Sequence, residues 1–134
     1  MSQVENTYSQ TMDDLSQIRV YKFNYSNGKR RGTRVAAVLD FDTFSRGAGE
    51  LRSLMKRLAP AHKQRLTSRD VVNLKTWDFT VGAYRSFNTS FMSNVTDVTN
   101  FCKCIDGDVR DSFTDKSVHC FYHKGKTYVV RFES

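Results

Sequence analysis

The lysines and arginines are the residues of this chain whose types and spacing best suit a chemical role. The chain has 134 residues and a net charge of +7, and many of its basic side chains fall into two clusters. The first cluster is Lys29, Arg30, Arg31 and Arg34. The second spans residues 46–69, where Glu50 is the single acid. Its members are Arg46, Arg52, Lys56, Arg57, Lys63, Arg65 and Arg69. Such side chains contact phosphates without reading base sequence, so we expect a nucleic acid or an acidic protein surface as partner. The alternative is that these residues form an ordinary solvated face and bind no partner.

Three cysteines and a histidine have a spacing that could hold a metal ion. Cys102 and Cys104 form a Cys-x-Cys pair, and Cys120 and His123 form Cys-x-x-His. A zinc site needs four such ligands to converge. In a regular strand, however, Cys120 and His123 would point to opposite faces. We therefore favour three small thiols packed on one sheet face over a zinc site, and we expect no metal and no cofactor.

Residues for catalysis form no recognisable constellation. Asp40 and Asp42 flank Phe41, so a strand would put both carboxylates on one face, where they could bind Mg²⁺ or carry protons. We favour the interpretation that both are solvated acids of a loop. The less favoured alternative is that they serve a metal-dependent hydrolase or nuclease. The sequence contains neither a Gly-x-Ser-x-Gly elbow nor a phosphate-binding glycine-rich loop. We predict that the protein is not an enzyme.

The first basic cluster lies on a predicted β-hairpin over residues 18–39. Asn27-Gly28 supplies the positive φ angles of a tight turn. The preceding strand alternates, with Tyr21, Phe23 and Tyr25 on one side. Aromatic rings among cations suit stacking on exposed bases, but rings on one sheet face more often form a core. We expect core packing for Tyr21 and Phe23.

The second cluster lies on a predicted helix near residues 48–59. Leu51, Leu54, Met55 and Leu58 form one apolar stripe. Arg52 and Lys56 are four residues apart and share a face opposite that stripe. Short strands are expected between residues 71 and 98, and a final hairpin joins Val118–Tyr122 to Thr127–Phe132. The predicted fold is α+β: a small, strongly bent antiparallel sheet or SH3-like barrel with one inserted amphipathic helix.

The domain organisation is expected to be simple. Residues 1–16 carry Glu5, Asp13 and Asp14 without a lysine or arginine and form an acidic N-terminal lead-in. Residues 17–134 are predicted to form a single globular domain. No apolar stretch is long enough to cross a membrane, and no signal peptide is seen, so a cytoplasmic location with reduced cysteines is expected.

Two stretches resemble a known family. They are Val20-Tyr-Lys-Phe-Asn-Tyr-Ser-Asn-Gly-Lys-Arg-Arg-Gly-Thr-Arg34 and Thr76-Trp-Asp-Phe-Thr-Val-Gly-Ala-Tyr-Arg-Ser-Phe87. Together they resemble the WYL-like domains of bacteria and tailed phages, especially the small phage branch. The resemblance implies an SH3- or Sm-like barrel with basic side chains at one mouth and a ligand-sensing or nucleic-acid-binding role. It also implies that Arg34 and Arg85 are basic site residues, with Trp77 and Phe87 as aromatic neighbours.

The sequence therefore predicts a non-enzymatic accessory or regulatory protein, phage-encoded on the resemblance, that acts in the host cytoplasm. It would bind nucleic acid, or a machine that processes nucleic acid, through a basic face. The alternative is a protein–protein module that docks on an acidic surface of a host or viral enzyme to inhibit or redirect it.

Overall fold

The computed structural model describes residues 18–39, 48–60 and 66–133. Its contacts divide the chain into two compact units. One unit covers Arg19–Val98, and the other contains Thr99–Glu133 together with Ile18. The predicted acidic lead-in over residues 1–16 lies outside the described residues. The expectation of a single domain from residue 17 onward stays a prediction.

The unit Arg19–Val98 contains five antiparallel strands and one helix. The strands pair in the order β4-β3-β2-β1-β5. The elements are β1 (Val20–Asn27), β2 (Arg30–Val38), α1 (Ala48–Arg57), β3 (Asn73–Asp78), β4 (Ala83–Asn88) and β5 (Met92–Asp97). The predicted hairpin is confirmed as β1 and β2, and Gly28 in its turn has a φ of 47°, a conformation that costs glycine little. The predicted helix is confirmed as α1.

The core of this unit lies between α1 and one face of the sheet. Tyr21, Phe23 and Tyr25 alternate along β1 onto the buried face, as the sequence predicts, and Leu51 and Leu58 of the helix stripe pack in the same cluster. Each fully buried side chain of this size contributes about 1.5–3 kcal/mol through removal of apolar area from water. Burial of the stripe therefore holds a short helix that would be marginal in isolation.

A bulge in β5 fixes the end of the helix against the sheet. The register between β1 and β5 shifts between Lys22 and Asn24, and Asn94 has a φ of 55°. The Val95 N–H donates to the Leu58 carbonyl at 3.1 Å, beyond the last residue of α1. Bulges commonly redirect a strand beside a functional site. This one turns β5 toward the C-terminal end of α1 and leaves a cleft beside it.

The unit that contains Thr99–Glu133 has a three-stranded antiparallel sheet. Its strands are β6 (Thr99–Asp106), β7 (His119–His123) and β8 (Lys126–Phe132), in the order β6-β8-β7. The predicted final hairpin is confirmed as β7 and β8. Phe121 is fully buried and stacks on Tyr128 with ring centroids 5.0 Å apart.

The predicted α+β class is wrong, because the described residues are predominantly β. They form eight strands in two antiparallel sheets, against one helix of ten residues. The helix buries a single apolar stripe, whereas the Phe-, Val- and Thr-rich stretches toward the C-terminus form most of the regular structure. The antiparallel sheets and the inserted helix agree with the prediction. An SH3-like barrel does not, since β4 and β5 are the unpaired edges of the larger sheet in the described part of the chain.

Among residues 18–39, 48–60 and 66–133, no helix is both long and apolar enough to cross a membrane.

Candidate anion-binding cleft

A cleft of about 350 Å³ lies between α1 and strands β1 and β5. Its lining combines basic, aromatic and apolar side chains from all three elements. The lining residues are Arg19, Tyr21, Arg52, Met55, Lys56, Ala59, Val95 and Asp97. A concave site of this size that combines apolar and polar side chains suits a small ligand.

Two of the predicted basic residues stand at this cleft. Arg52 and Lys56 lie one helical turn apart on α1, and both side chains are exposed. Neither forms an ion pair with any described residue. Their sequence spacing predicts the shared face, and the structure brings that face next to β5.

Arg19 is a third cation at the cleft, and it is already paired. Its Nε donates to Oδ2 of Asp97 at 2.9 Å, across the edge of the sheet. Both side chains are partly exposed, so this pair adds little stability. It does neutralise Asp97, the one acid among the described residues that line the cleft. Among these residues, three basic side chains against one carboxylate leave an excess of two positive charges.

Tyr21 contributes a phenol to the lining of the cleft. The side chain is 3 % exposed, and burial, with a smaller contribution from Asp97, raises its pKa to about 12. The nearby Arg19 and Arg52 oppose this shift. Like any tyrosine with a pKa of 10 or above, Tyr21 is protonated at neutral pH and can donate a hydrogen bond. Within the described part of the chain it has no hydrogen-bond partner.

Met55, Ala59 and Val95 form the apolar part of the lining. Met55 and Val95 belong to the buried core and are almost wholly buried, so they present a small but firmly held apolar patch, to which the exposed Ala59 adds. Thioethers also make favourable contacts with aromatic rings. The cleft can thus hold an anionic group beside a flat apolar one.

The first basic cluster is divided between the two faces of the sheet. Lys29 is exposed at the turn between β1 and β2. Arg31 is exposed on the face of the sheet that points away from the helix. Arg30 is half-buried; its Nη1 donates to the Ser86 carbonyl at 2.9 Å, and its guanidinium lies 5.6 Å from the Phe87 ring centroid.

Two further predicted cations are neutralised by acids. Arg34 pairs with the fully buried Asp78 at 3.4 Å. Arg57 pairs with Asp70, whose carboxylate also accepts hydrogen bonds from Thr67. These arginines hold structure together and leave Arg52 and Lys56 as the helix residues with unpaired charge among those described. Arg69 is exposed in a turn, and Lys63 and Arg65 lie outside the described residues.

The residues implied by the family resemblance do not lie at the cleft. Arg85 is exposed on the edge strand β4, across from Thr76. Trp77 is half-buried on the other face of the sheet and packs edge-on against Tyr84 at 4.8 Å. Phe87 is fully buried in the core, so its ring offers no free face to a base.

The four candidate zinc ligands do not converge. In the register of the smaller sheet, Cys102 and Cys104 lie on the same face as His123, and Cys120 lies on the opposite face. The expectation of three thiols on one face is therefore wrong for Cys120. Burial raises the pKa of both Cys104 and Cys120, which favours the unreactive thiol form. No group of metal-binding side chains occurs in the described segments, and Asp40 and Asp42 lie outside them.

Sequence reasoning missed Arg19, Tyr21 and Asp97 as site residues. The alternation along β1 places Arg19 on the same side as Tyr21, and this pattern could have indicated that the two residues share a site. Asp97, however, is 78 residues from Arg19. Its position depends on the pairing of β5 with β1, which no local pattern indicates.

Comparison with protein-family models, with curated proteins and with solved structures finds no match. The likeness to WYL-like domains stays a prediction.

Proposed function

We propose that this protein is a non-enzymatic accessory protein that binds nucleic acid, with the cleft between α1 and β5 as the centre of its contact. The observation that carries the proposal is the excess of two positive charges around a concave surface with an apolar wall. Lys29 and Arg69, which are exposed elsewhere on the same unit, add positive charge to its surface. Contacts of this kind bind phosphates by charge and tolerate any base sequence.

The mixed lining of the cleft favours a nucleic acid over an acidic protein surface. A carboxylate needs only the cations, whereas a nucleotide presents a phosphate and a flat ring together. The apolar wall formed by Met55, Ala59 and Val95 gives that ring a place beside Arg52 and Lys56. We place the protein in the cytoplasm as part of this proposal, because free thiols such as those of this chain are usual there. On the family resemblance it is phage-encoded and regulatory.

The test is binding of a labelled single-stranded oligonucleotide, measured by fluorescence anisotropy over a salt series. We expect affinity to fall steeply with salt. The double variant Arg52→Ala/Lys56→Ala should bind more weakly and reduce the slope of log K against log salt by about 0.7 for each phosphate contact that is lost.

The matched control is Lys75→Ala/Lys116→Ala, which removes the same charge from two exposed positions that are not among the lining residues of the cleft. It should keep most of the affinity and the slope. Equal losses in the two double variants would show that binding does not run through the cleft. Absence of oligonucleotide binding at low salt, with capture of an acidic protein that survives nuclease treatment of the lysate, would replace the proposal with a protein-docking function.

A further inference from the structure

We propose that the cleft receives one terminal nucleotide, with its phosphate monoester held by Arg52, Lys56 and the Tyr21 hydroxyl and its base against the apolar wall. This inference rests on the proposed function and specifies its ligand. The relevant chemistry is that of a nucleoside monophosphate, which can come from the end of a strand or from a free mononucleotide.

The charge of the cleft matches a monoester better than a diester. A phosphate monoester carries a charge of about −1.5 to −2 at neutral pH, and an internal phosphodiester carries about −1. Arg52 and Lys56 supply two positive charges with no acidic partner among the described residues, while Arg19 is engaged by Asp97. A terminal phosphate therefore neutralises the cleft, and an internal phosphate leaves a positive charge unpaired.

The hydrogen-bonding groups point to the same ligand. A monoester has three terminal oxygens that accept hydrogen bonds, one more than the two free oxygens of a diester. The cleft offers the guanidinium of Arg52, the ammonium of Lys56 and the phenol of Tyr21 as donors. Tyr21 is a neutral phenol at pH 7, and burial raises its pKa further, to about 12. Because Tyr21 lines the cleft, a phosphate oxygen that reaches its hydroxyl gains a hydrogen bond.

The size and shape of the cleft favour an end over a continuous strand. A volume of about 350 Å³ is near the lower limit of small-molecule pockets and accommodates roughly one nucleotide. The helix end and the β5 bulge are tied by the hydrogen bond from the Val95 N–H to the Leu58 carbonyl, so the walls are fixed in place. Met55 lies beside the cations and can contact the flat face of a base.

The experiment compares oligonucleotides of one sequence that differ only in their ends. Single strands with a 5′-phosphate, with a 3′-phosphate and with hydroxyl groups at both ends are titrated with the full chain and followed by anisotropy. We expect at least one phosphorylated strand to bind about tenfold more tightly than the hydroxyl strand, the effect of one additional charge-assisted hydrogen bond. A nucleoside monophosphate should compete with it better than inorganic phosphate does.

Tyr21→Phe is the diagnostic variant, because it removes one oxygen and keeps the buried ring. It should bind the hydroxyl strand as the original chain does and lose most of the preference for the phosphorylated strand. Lys75→Ala, which loses one exposed charge away from the cleft, should keep that preference.

Three results would overturn the inference while leaving nucleic-acid binding intact. They are equal binding of all three strands, an unchanged preference in Tyr21→Phe, and competition by inorganic phosphate as strong as by the mononucleotide. Failure of every strand to bind at low salt would instead overturn the proposed function, and the inference would fall with it.

Discussion

Replacement of Arg34 by alanine tests whether this arginine serves the fold rather than a partner. Asp78 is fully buried, and its carboxylate accepts two contacts, from Arg34 Nη1 at 3.4 Å and from the Thr80 N–H at 2.8 Å. Without Arg34 the carboxylate keeps only the hydrogen bond from Thr80. Breaking a buried ion pair by removing one partner typically costs 3–5 kcal/mol. Because the contact to Arg34 is long and the Thr80 bond remains, we expect Arg34→Ala to lower the free energy of unfolding by about 3 kcal/mol.

The single tryptophan makes the assay specific to the right unit. Trp77 precedes Asp78 on β3, within the sheet that contains Arg34, so its fluorescence during urea unfolding reports on this sheet. Arg85→Ala is the matched control, since Arg85 is exposed and forms no ion pair with described residues; it should change stability by about 0.5 kcal/mol or less. Adding Asp78→Asn to Arg34→Ala should recover part of the loss. A cost for Arg34→Ala no larger than that of the control would refute the buried-pair argument.

Two further predictions concern other hydrogen-bonded side chains. The backbone N–H and the hydroxyl of Thr67 donate hydrogen bonds to Asp70, and these bonds, together with the charge of Arg57, hold the pKa of Asp70 below its usual range. The ionised carboxylate therefore stabilises the folded state fully above the unfolded pKa near 3.9, and this stabilisation is lost as the pH falls through the folded pKa. We expect Asp70→Asn to lower the free energy of unfolding by about 1 kcal/mol at neutral pH and to leave it equal to that of the original chain in acid. Urea unfolding at several pH values measures this difference, and a difference that persists in acid would contradict the prediction. In the smaller sheet, Thr127 Oγ1 accepts from the Val109 N–H at 2.9 Å and donates to the Gly107 carbonyl at 2.7 Å. Thr127→Val should cost about 1–3 kcal/mol and speed amide exchange at Val109, whereas the exposed Thr96→Val should do neither.

The basic surface shows how far sequence reasoning about function reaches. The i, i+4 spacing of Arg52 and Lys56 placed them on one exposed helix face, and both stand at the cleft. The same reasoning grouped Arg34 and Arg57 with them, although each is neutralised by an acid from elsewhere in the chain. Charge density along the sequence does not reveal which cations have partners, because the partners arrive through tertiary pairing.

The sequence by itself determined the local elements of this protein. Asn27-Gly28 and the alternation of β1 specify the first hairpin and which aromatic rings enter the core, and the stripe from Leu51 to Leu58 specifies the helix. These features depend on turn chemistry and on side-chain periodicity, which act between near neighbours. Only the tertiary structure decided that β5 pairs with β1, that a bulge turns β5 toward the helix end, and that Arg19 and Asp97 meet beside Arg52. Strand partners far apart in the chain are chosen by the packing of the whole sheet, so the cleft they form has no signature in any single stretch of sequence.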